Sequence, residues 1–264
     1  MKKSYIVMSI LLIVVVGATW FMMNLDADEA GVREESSPVT SSDNLFIQAQ
    51  PDHSFQEELI ASSGEDSPVE VAVIGSSVAE GQGASEYNQT WPSLLESSLN
   101  ESEQIVNVTN FAVSGFKVSD LIDEGDVDEL IQSAPDVILF ETSVINSYYH
   151  DEPIIDTKES IQTAAQKIEE ELPNAYLVFM APNPINESMY SIVTSELDFE
   201  EYVYETEQFI IESGWDYFDS YTGWNRQLEE EEIDLDSLLD DGTHPNDEGY
   251  QMWFELINES MIQA

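Results

Sequence analysis

Cysteine is absent from this 264-residue chain, and basic residues are scarce. The absence of cysteine excludes disulfide bonds, thiolate zinc sites and a lipid-modified cysteine anchor. The chain contains only 7 Lys and Arg residues but 54 Asp and Glu residues, which gives a formal net charge of −47. Such a surface repels nucleic acid and anionic lipid, so neither is expected as a partner of the folded part. A hydrophobic share of 42% nevertheless indicates a folded core.

The N-terminus is the one region without acidic residues. Lys2 and Lys3 precede an uncharged, mostly apolar run from Tyr5 to Met23. A run of this length can cross a bilayer as a helix, and the basic residues are expected to stay in the cytoplasm. Because no A-x-A cleavage site follows, residues 1–23 are predicted to be an uncleaved membrane anchor rather than a removed signal peptide. Both alternatives place the remainder outside the cell membrane, tethered or secreted.

Residues 24–67 are rich in Ser, Asp, Glu and Pro and have no apolar period. This composition predicts an extended or disordered acidic spacer, with at most one short helix around Phe55 to Ala61. The folded domain is therefore expected over residues 68–264.

From Val69 onward, strand-like and helix-like segments alternate, which is the pattern of a layered α/β domain. We predict a three-layer α/β/α sandwich around a flavodoxin-like parallel sheet of five strands, at 69–74, 105–112, 136–141, 175–181 and 215–218. One helix is expected to begin near Thr90, and four further helices are expected over 118–133, 155–172, 197–213 and 246–262. The acidic run 229–232 is interpreted as a solvated loop or helix face rather than a metal site.

The first of these strands ends in Gly75-Ser76-Ser77. Ligands of parallel sheets bind beyond the carboxyl ends of the strands, so Ser77 lies where chemistry is usually done. On this run alone, a Gly-Ser turn without a function is equally compatible.

A serine nucleophile needs a base, and the chain has three histidines. His53 falls in the predicted spacer, and His150 has no motif around it and is interpreted as a rim or surface residue. His244, in the stretch Asp241-Gly242-Thr243-His244-Pro245, is the best candidate. Asp241 could bind the far ring nitrogen and fix its tautomer, the alternative being a turn or capping aspartate.

These stretches resemble the SGNH/GDSL hydrolase superfamily of serine esterases and lipases, from Val69 to the C-terminus. Gly75-Ser76-Ser77-Val78 is similar to the Gly-Asp-Ser-Leu block, with Ser76 in place of aspartate. Gly115 is similar to the glycine of the second block, and Asn146 to the asparagine of the third. The third block lacks its usual glycine and aspartate, since Val144 and Ser147 stand there. The Asp-x-x-His block is intact at Asp241 to His244.

The resemblance implies catalysis by Ser77, His244 and Asp241, with an oxyanion hole formed by Ser77, Gly115 and Asn146. It also implies hydrolysis of carboxylic esters, either small acyl groups such as acetyl on envelope or extracellular glycans, or lipid esters, without a metal or organic cofactor. Two alternatives stay open. The same scaffold could transfer acyl groups to a glycan, or the altered blocks could mark a non-catalytic glycan-binding module. The membrane is expected as a partner through the N-terminal helix alone.

Overall fold

The computed structural model describes residues 45–47, 55–56, 59, 67–101, 105–189 and 195–262. The predicted membrane segment 1–23, His53 and most of the predicted spacer lie outside these residues. Within the described ranges, no helix is long and apolar enough to span a bilayer.

The centre of the domain is a mixed sheet in the order β1-β6-β5-β4-β2-β3. The five strands from β2 to β6 run parallel, whereas β1 pairs antiparallel with β6. The parallel α/β architecture is confirmed, but the predicted number of five strands is wrong, because the described residues form six. The strands are β1 (Phe46–Ile47), β2 (Val69–Ile74), β3 (Val106–Asn110), β4 (Val137–Glu141), β5 (Tyr176–Met180) and β6 (Asp216–Phe218).

The extra strand comes from the segment assigned to the spacer. Phe46 pairs with Phe218 and Ile47 with Tyr217 at the edge of the sheet. Phe55 and Leu59, from the same segment, are fully buried in the core. Residues 45–47, 55 and 59, which precede the predicted domain start at residue 68, therefore pack with the folded domain.

Both faces of the sheet are buried. Along β2, Val71 and Val73 point into one apolar cluster, whereas Ala72 and Ile74 point into the other. This alternation places helices on both faces, as expected for parallel strands with apolar residues at nearly every position. Helices α2, α5, α8 and α9 pack on the first face, α3, α4 and α6 on the second, and α7 contributes to both. The helices are α1 (Ser77–Glu80), α2 (Trp91–Glu101), α3 (Val118–Asp123), α4 (Asp126–Ser133), α5 (Val144–Tyr149), α6 (Ile154–Glu171), α7 (Phe199–Glu212), α8 (Ser220–Glu230) and α9 (Asp247–Ile257).

Besides the short helices α1 and α5, which the sequence does not predict, three helices differ from the sequence prediction. The single helix expected over 118–133 is split into α3 and α4 by Gly125, which has a left-handed φ of 97°. The last helix leaves α geometry after Ile257 and continues as a π-helical turn over Asn258–Ile262. Helix α8 was not predicted, although the acidic run 229–232 begins in its last turn.

Glu207, on α7, is an acidic group whose burial should make stability depend on pH. Burial, followed by the negative charge of Asp219, raises the pKa of Glu207 from 4.5 to about 7. Between these two pH values the unfolded chain has released a proton that the folded protein keeps, so this group lowers stability as the pH rises from 4.5 through 7. A shift of that size corresponds to about 3 kcal/mol, which partial exposure reduces to about 1 kcal/mol.

The Glu207→Gln variant should therefore be more stable than the wild type at pH 8, by about 1 kcal/mol, and nearly equal to it at pH 4. Urea unfolding at the two pH values measures the difference. Glu212→Gln removes an exposed carboxylate from the same helix and serves as the control. Equal gains in the free energy of unfolding for both variants at pH 8 would show that the change in net charge, rather than the burial of Glu207, causes the stabilisation.

Candidate active site

Ser77 follows β2 and is the first residue of helix α1. The turn that presents it depends on Gly75, whose φ is +154°. A Cβ at this glycine would come within 2.7 Å of the Glu141 Cβ and of Glu141 Oε2. Only glycine lets the two strands approach this closely, so the position of Ser77 is fixed by backbone geometry. The Ser77 side chain is almost fully buried, with 4% of the residue exposed.

Three side chains predicted to act together form one continuous hydrogen-bonded chain. His244 Nε2 lies 2.9 Å from Ser77 Oγ, and His244 Nδ1 lies 2.7 Å from Asp241 Oδ2. Since an ionised carboxylate only accepts hydrogen bonds, Nδ1 carries the ring proton and Nε2 is free to accept from the Ser77 hydroxyl. The arrangement has the geometry that general-base activation of a serine requires.

The turn containing Asp241 and His244 is held by hydrogen bonds from its backbone to the Asp241 side chain. The backbone N–H groups of Thr243 and His244 both donate to Asp241 Oδ1, at 3.1 and 3.0 Å. Burial raises the pKa of Asp241, but the bonds from His244 and Thr243 outweigh it and lower the pKa below the ordinary value. Asp241 therefore stays ionised opposite the imidazole.

Two further side chains fix this turn against the sheet. The buried Asn183, after β5, donates from Nδ2 to the Thr243 carbonyl at 2.8 Å. The Tyr149 hydroxyl lies 3.0 Å from Thr243 Oγ1. Tyr149 closes the helix that carries Asn146, so the two halves of the site are connected.

Asn146 and Gly115, the predicted oxyanion donors, lie in neighbouring segments, a helix and a loop, that the Asn146 side chain joins by a hydrogen bond. Asn146 is in α5, directly after β4, and donates from Nδ2 to the Phe116 carbonyl at 2.9 Å. An amide NH₂ has two donor hydrogens, so this bond leaves the second for a substrate oxygen. Gly115 is exposed and has a φ of +81°, with no heavy atom within 4 Å of a Cβ built on it. Both remain predictions as oxyanion donors.

Sequence reasoning missed a polar network behind these loops. Glu152 accepts from Lys117 Nζ at 2.7 Å, from Ser147 Oγ at 2.7 Å and from Thr157 Oγ1 at 2.8 Å. Although burial raises the pKa of Glu152, the bonds from Lys117, Ser147 and Thr157 lower it below the usual value. The network ties the segment after Gly115 to α5. No spacing in the sequence singles out Glu152 among so many acidic residues.

The other candidate residues lie elsewhere. His150 is exposed at the end of α5, and His53 is outside the described residues. In the described part of the chain, no three His, Asp or Glu side chains converge as metal ligands would.

The sequence motif and the fold are shared with known enzymes. A sequence model of the GDSL-like lipase/acylhydrolase family matches residues 73–252, well over half of the chain. The chain belongs to the GDSL-like lipase/acylhydrolase family. The predicted family membership is thereby confirmed, and with it the assignment to the SGNH-type ester hydrolases. No curated protein sequence matches the chain significantly.

Solved structures of GDSL proteins have the same fold. A member of the lipolytic G-D-S-L family from Veillonella parvula superposes with a TM-score of 0.58 at 16% identity, covering 74% of this chain and 100% of that one. The acetyl xylan esterase AlAXEase gives 0.61 at 18%, covering 74% and 100%. The acetylxylan esterase Axe2 of Geobacillus stearothermophilus gives 0.59 at 16%, covering 74% and 95%. At these identities the similarity establishes the fold of the GDSL domain.

If Asn146 is an oxyanion donor as predicted, Asn146→Ala should lower kcat by about 10²-fold to 10³-fold, because it removes one of the hydrogen bonds to the developing oxyanion. Initial rates of phenyl acetate hydrolysis measure the effect. The matched control is Asn100→Ala, which deletes an amide bonded to the Val106 backbone at the opposite edge of the sheet. It should lower the melting temperature and leave kcat unchanged. Similar kcat losses in both variants would show that Asn146 acts through stability alone.

Proposed function

We propose that this GDSL enzyme hydrolyses small acyl esters, acetyl above all, carried by envelope or extracellular glycans. The observation that carries the proposal is the chain of two hydrogen bonds, 2.7 and 2.9 Å long, that joins Asp241, His244 and Ser77. The acetyl preference is supported by structural neighbours that are acetyl xylan esterases.

In the proposed mechanism, Ser77 Oγ attacks the ester carbonyl carbon while His244 Nε2 takes the hydroxyl proton. The oxyanion of the tetrahedral intermediate accepts hydrogen bonds from the backbone N–H groups of Ser77 and Gly115 and from Asn146 Nδ2. The imidazolium is stabilised by Asp241. It then protonates the departing alcohol, leaving an acyl group on Ser77.

Water completes the cycle. His244 Nε2 removes a proton from a water molecule as that molecule attacks the acyl carbonyl. A second tetrahedral intermediate forms at the same donors, and its collapse returns the proton to Ser77 Oγ and releases the acid. Every proton in the cycle therefore moves between His244, Ser77, the departing alcohol and water.

The proposed location is outside the cell membrane, either anchored or released. Its support is the basic pair Lys2 and Lys3 before the uncharged run to Met23. Protease treatment of intact cells expressing the full chain tests it: degradation of the domain without lysis is expected, and protection until lysis would contradict it.

The activity is tested with the purified full-length protein in detergent. The rate of acetate release from acetylated xylan and from phenyl acetate should exceed the rate of octanoate release from phenyl octanoate, the matched octanoyl ester, by at least about tenfold. A folded protein that cleaves none of these esters would contradict the proposal and favour the glycan-binding alternative. Transfer of labelled acetyl to an added xylo-oligosaccharide, in preference to water, would favour the acyltransferase.

A further inference from the structure

A buried carboxylate stands directly behind the nucleophile turn. Glu141, the last residue of β4, has no exposed surface. Its three hydrogen-bond donors within the described residues are neutral groups, supplied by Ser76 and Ser143. Burial of a carboxylate without a cation is costly, so its retention at this position calls for a functional explanation.

The donors come from two different loops. Glu141 Oε2 accepts from the backbone N–H and from the hydroxyl of Ser76, both at 2.9 Å. Glu141 Oε1 accepts from the backbone N–H of Ser143, also at 2.9 Å. Ser76 immediately precedes Ser77. Ser143 is the N-cap of the helix that carries Asn146, and its carbonyl accepts from the Asn146 N–H at 3.1 Å.

One carboxylate thus fixes the turn of the nucleophile relative to the helix of a predicted oxyanion donor. Resting on the proposed function, we propose that Glu141 is a positioning residue, which holds Ser77 and Asn146 at the separation that the reaction needs. It would supply, from the neighbouring strand, the carboxylate that Ser76 replaces in the Gly-Asp-Ser-Leu pattern.

The local backbone is built around this side chain. Gly75 leaves the space that the Glu141 Cβ and Oε2 occupy, since a Cβ there would lie 2.7 Å from both atoms. Ser143 adopts a left-handed φ of 55°, which is unusual for a residue other than glycine and directs its N–H to the carboxylate. Burial outweighs the opposing effect of the bonds from Ser76 and Ser143, so the pKa of Glu141 lies above its ordinary value.

Both carboxyl oxygens of Glu141 accept hydrogen bonds, so replacing Glu141 with glutamine tests the positioning role directly. Each carboxyl oxygen faces a backbone N–H, so the amide of Glu141→Gln must point its NH₂ group at the N–H of either Ser76 or Ser143. The size of the side chain is unchanged. The two loops should therefore separate slightly, and a misplacement of about 1 Å can cost about 10²-fold in rate.

We expect Glu141→Gln to lower kcat for phenyl acetate by about 30-fold to 100-fold and to change KM by less than about threefold. Labelling of Ser77 by a fluorophosphonate should slow in parallel. Ser76→Ala removes only the hydroxyl bond and should lower kcat by about threefold to tenfold. Ile138→Val, a buried change on the same strand that faces away from Glu141, controls for lost stability and should leave kcat unchanged.

Two results would overturn the inference. One is a Glu141→Gln protein with a lower melting temperature and unchanged kcat. The other, if that variant does not fold, is a Ser76→Ala protein with the wild-type kcat.

The inference can also be judged if the wild type cleaves no ester and the proposed function fails. Amide hydrogen exchange at Ser76 and Ser143 should then quicken at least about tenfold in Glu141→Gln. If that variant does not fold, exchange at positions 76 and 143 should quicken by about threefold in Ser76→Ala, which removes one of the bonds that hold the Glu141 side chain in place. Unchanged exchange would contradict the positioning role independently of activity.

Discussion

Replacing Ser77 with alanine should reduce ester hydrolysis by at least about 10⁴-fold while the protein stays folded. The hydroxyl is the only nucleophilic atom bonded to His244 Nε2 in the described site, at 2.9 Å. Without it no acyl-enzyme can form, and what activity remains comes from substrate binding and the oxyanion donors. Hydrolysis of phenyl acetate, followed by acetate release, measures the loss.

The control for this experiment is Ser97→Ala. Ser97 is an exposed serine of α2 whose hydroxyl bonds only to the backbone of its own helix among the described residues. It should keep the wild-type rate. In the Ser77→Ala protein, the melting temperature should change by less than about 3 °C, because the side chain loses one atom at the edge of the core. Retained hydrolysis, together with fluorophosphonate labelling of another serine, would identify a different nucleophile.

The central strands were predictable because they carry apolar residues at nearly every position. Val71 and Ala72 alternate between two buried faces, and runs of this kind indicate parallel strands covered on both sides. Strand β1 gives no such signal. Phe46 and Ile47 are two apolar residues in a polar segment, and their strand geometry depends on a distant partner, Phe218. Tertiary pairing of this kind cannot be inferred from local pattern.

The short helix α5 was missed for a related reason. It spans only six residues, Val144–Tyr149, too few to show a helical period. It begins after Ser143, whose left-handed backbone is stabilised by Glu141 and not by the preference of serine itself. Local propensity therefore predicts a loop here, whereas a buried carboxylate supports a helix.

The site was predictable where topology alone decides placement. Ser77, the loop of Gly115 and the helix of Asn146 follow strand ends, and the carboxyl ends of parallel strands share one edge of the sheet. The supporting carboxylates were not predictable. Glu141 and Glu152 are two among 54 acidic residues, and what distinguishes them is burial and donors from other elements.

Asp241→Asn should lower kcat by about 10⁴-fold, the second large effect. The fall in kcat is expected because the hydrogen bonds around position 241 fix the orientation of the asparagine side-chain amide. In the wild type, Asp241 Oδ1 accepts two backbone N–H groups, from Thr243 and His244, and Oδ2 faces His244 Nδ1. An asparagine has one carbonyl oxygen, which the two backbone donors retain. Its NH₂ group then faces Nδ1.

An NH₂ group opposite Nδ1 forces that nitrogen to accept, so the ring proton moves to Nε2. The proton then points at Ser77 Oγ, and the imidazole can no longer remove the hydroxyl hydrogen. The ¹⁵N shifts of the His244 ring should show this change of tautomer. Because Asp241 has a lowered pKa, the wild type keeps a carboxylate opposite Nδ1 even at pH values below the ordinary titration range of aspartate.

Asp240→Asn is the matched control, since it removes the same charge from the preceding residue, which is exposed. Its backbone N–H donates to the His244 carbonyl at 2.8 Å, and this bond does not depend on the side chain. The control should keep kcat within about twofold, which separates the loss of the Nδ1 acceptor from the loss of one negative charge. A fall of less than about tenfold in Asp241→Asn, with the tautomer unchanged, would show that the backbone turn orients His244 without the carboxylate. The base would then depend on Ser77 and on the packing of Thr243 for its orientation.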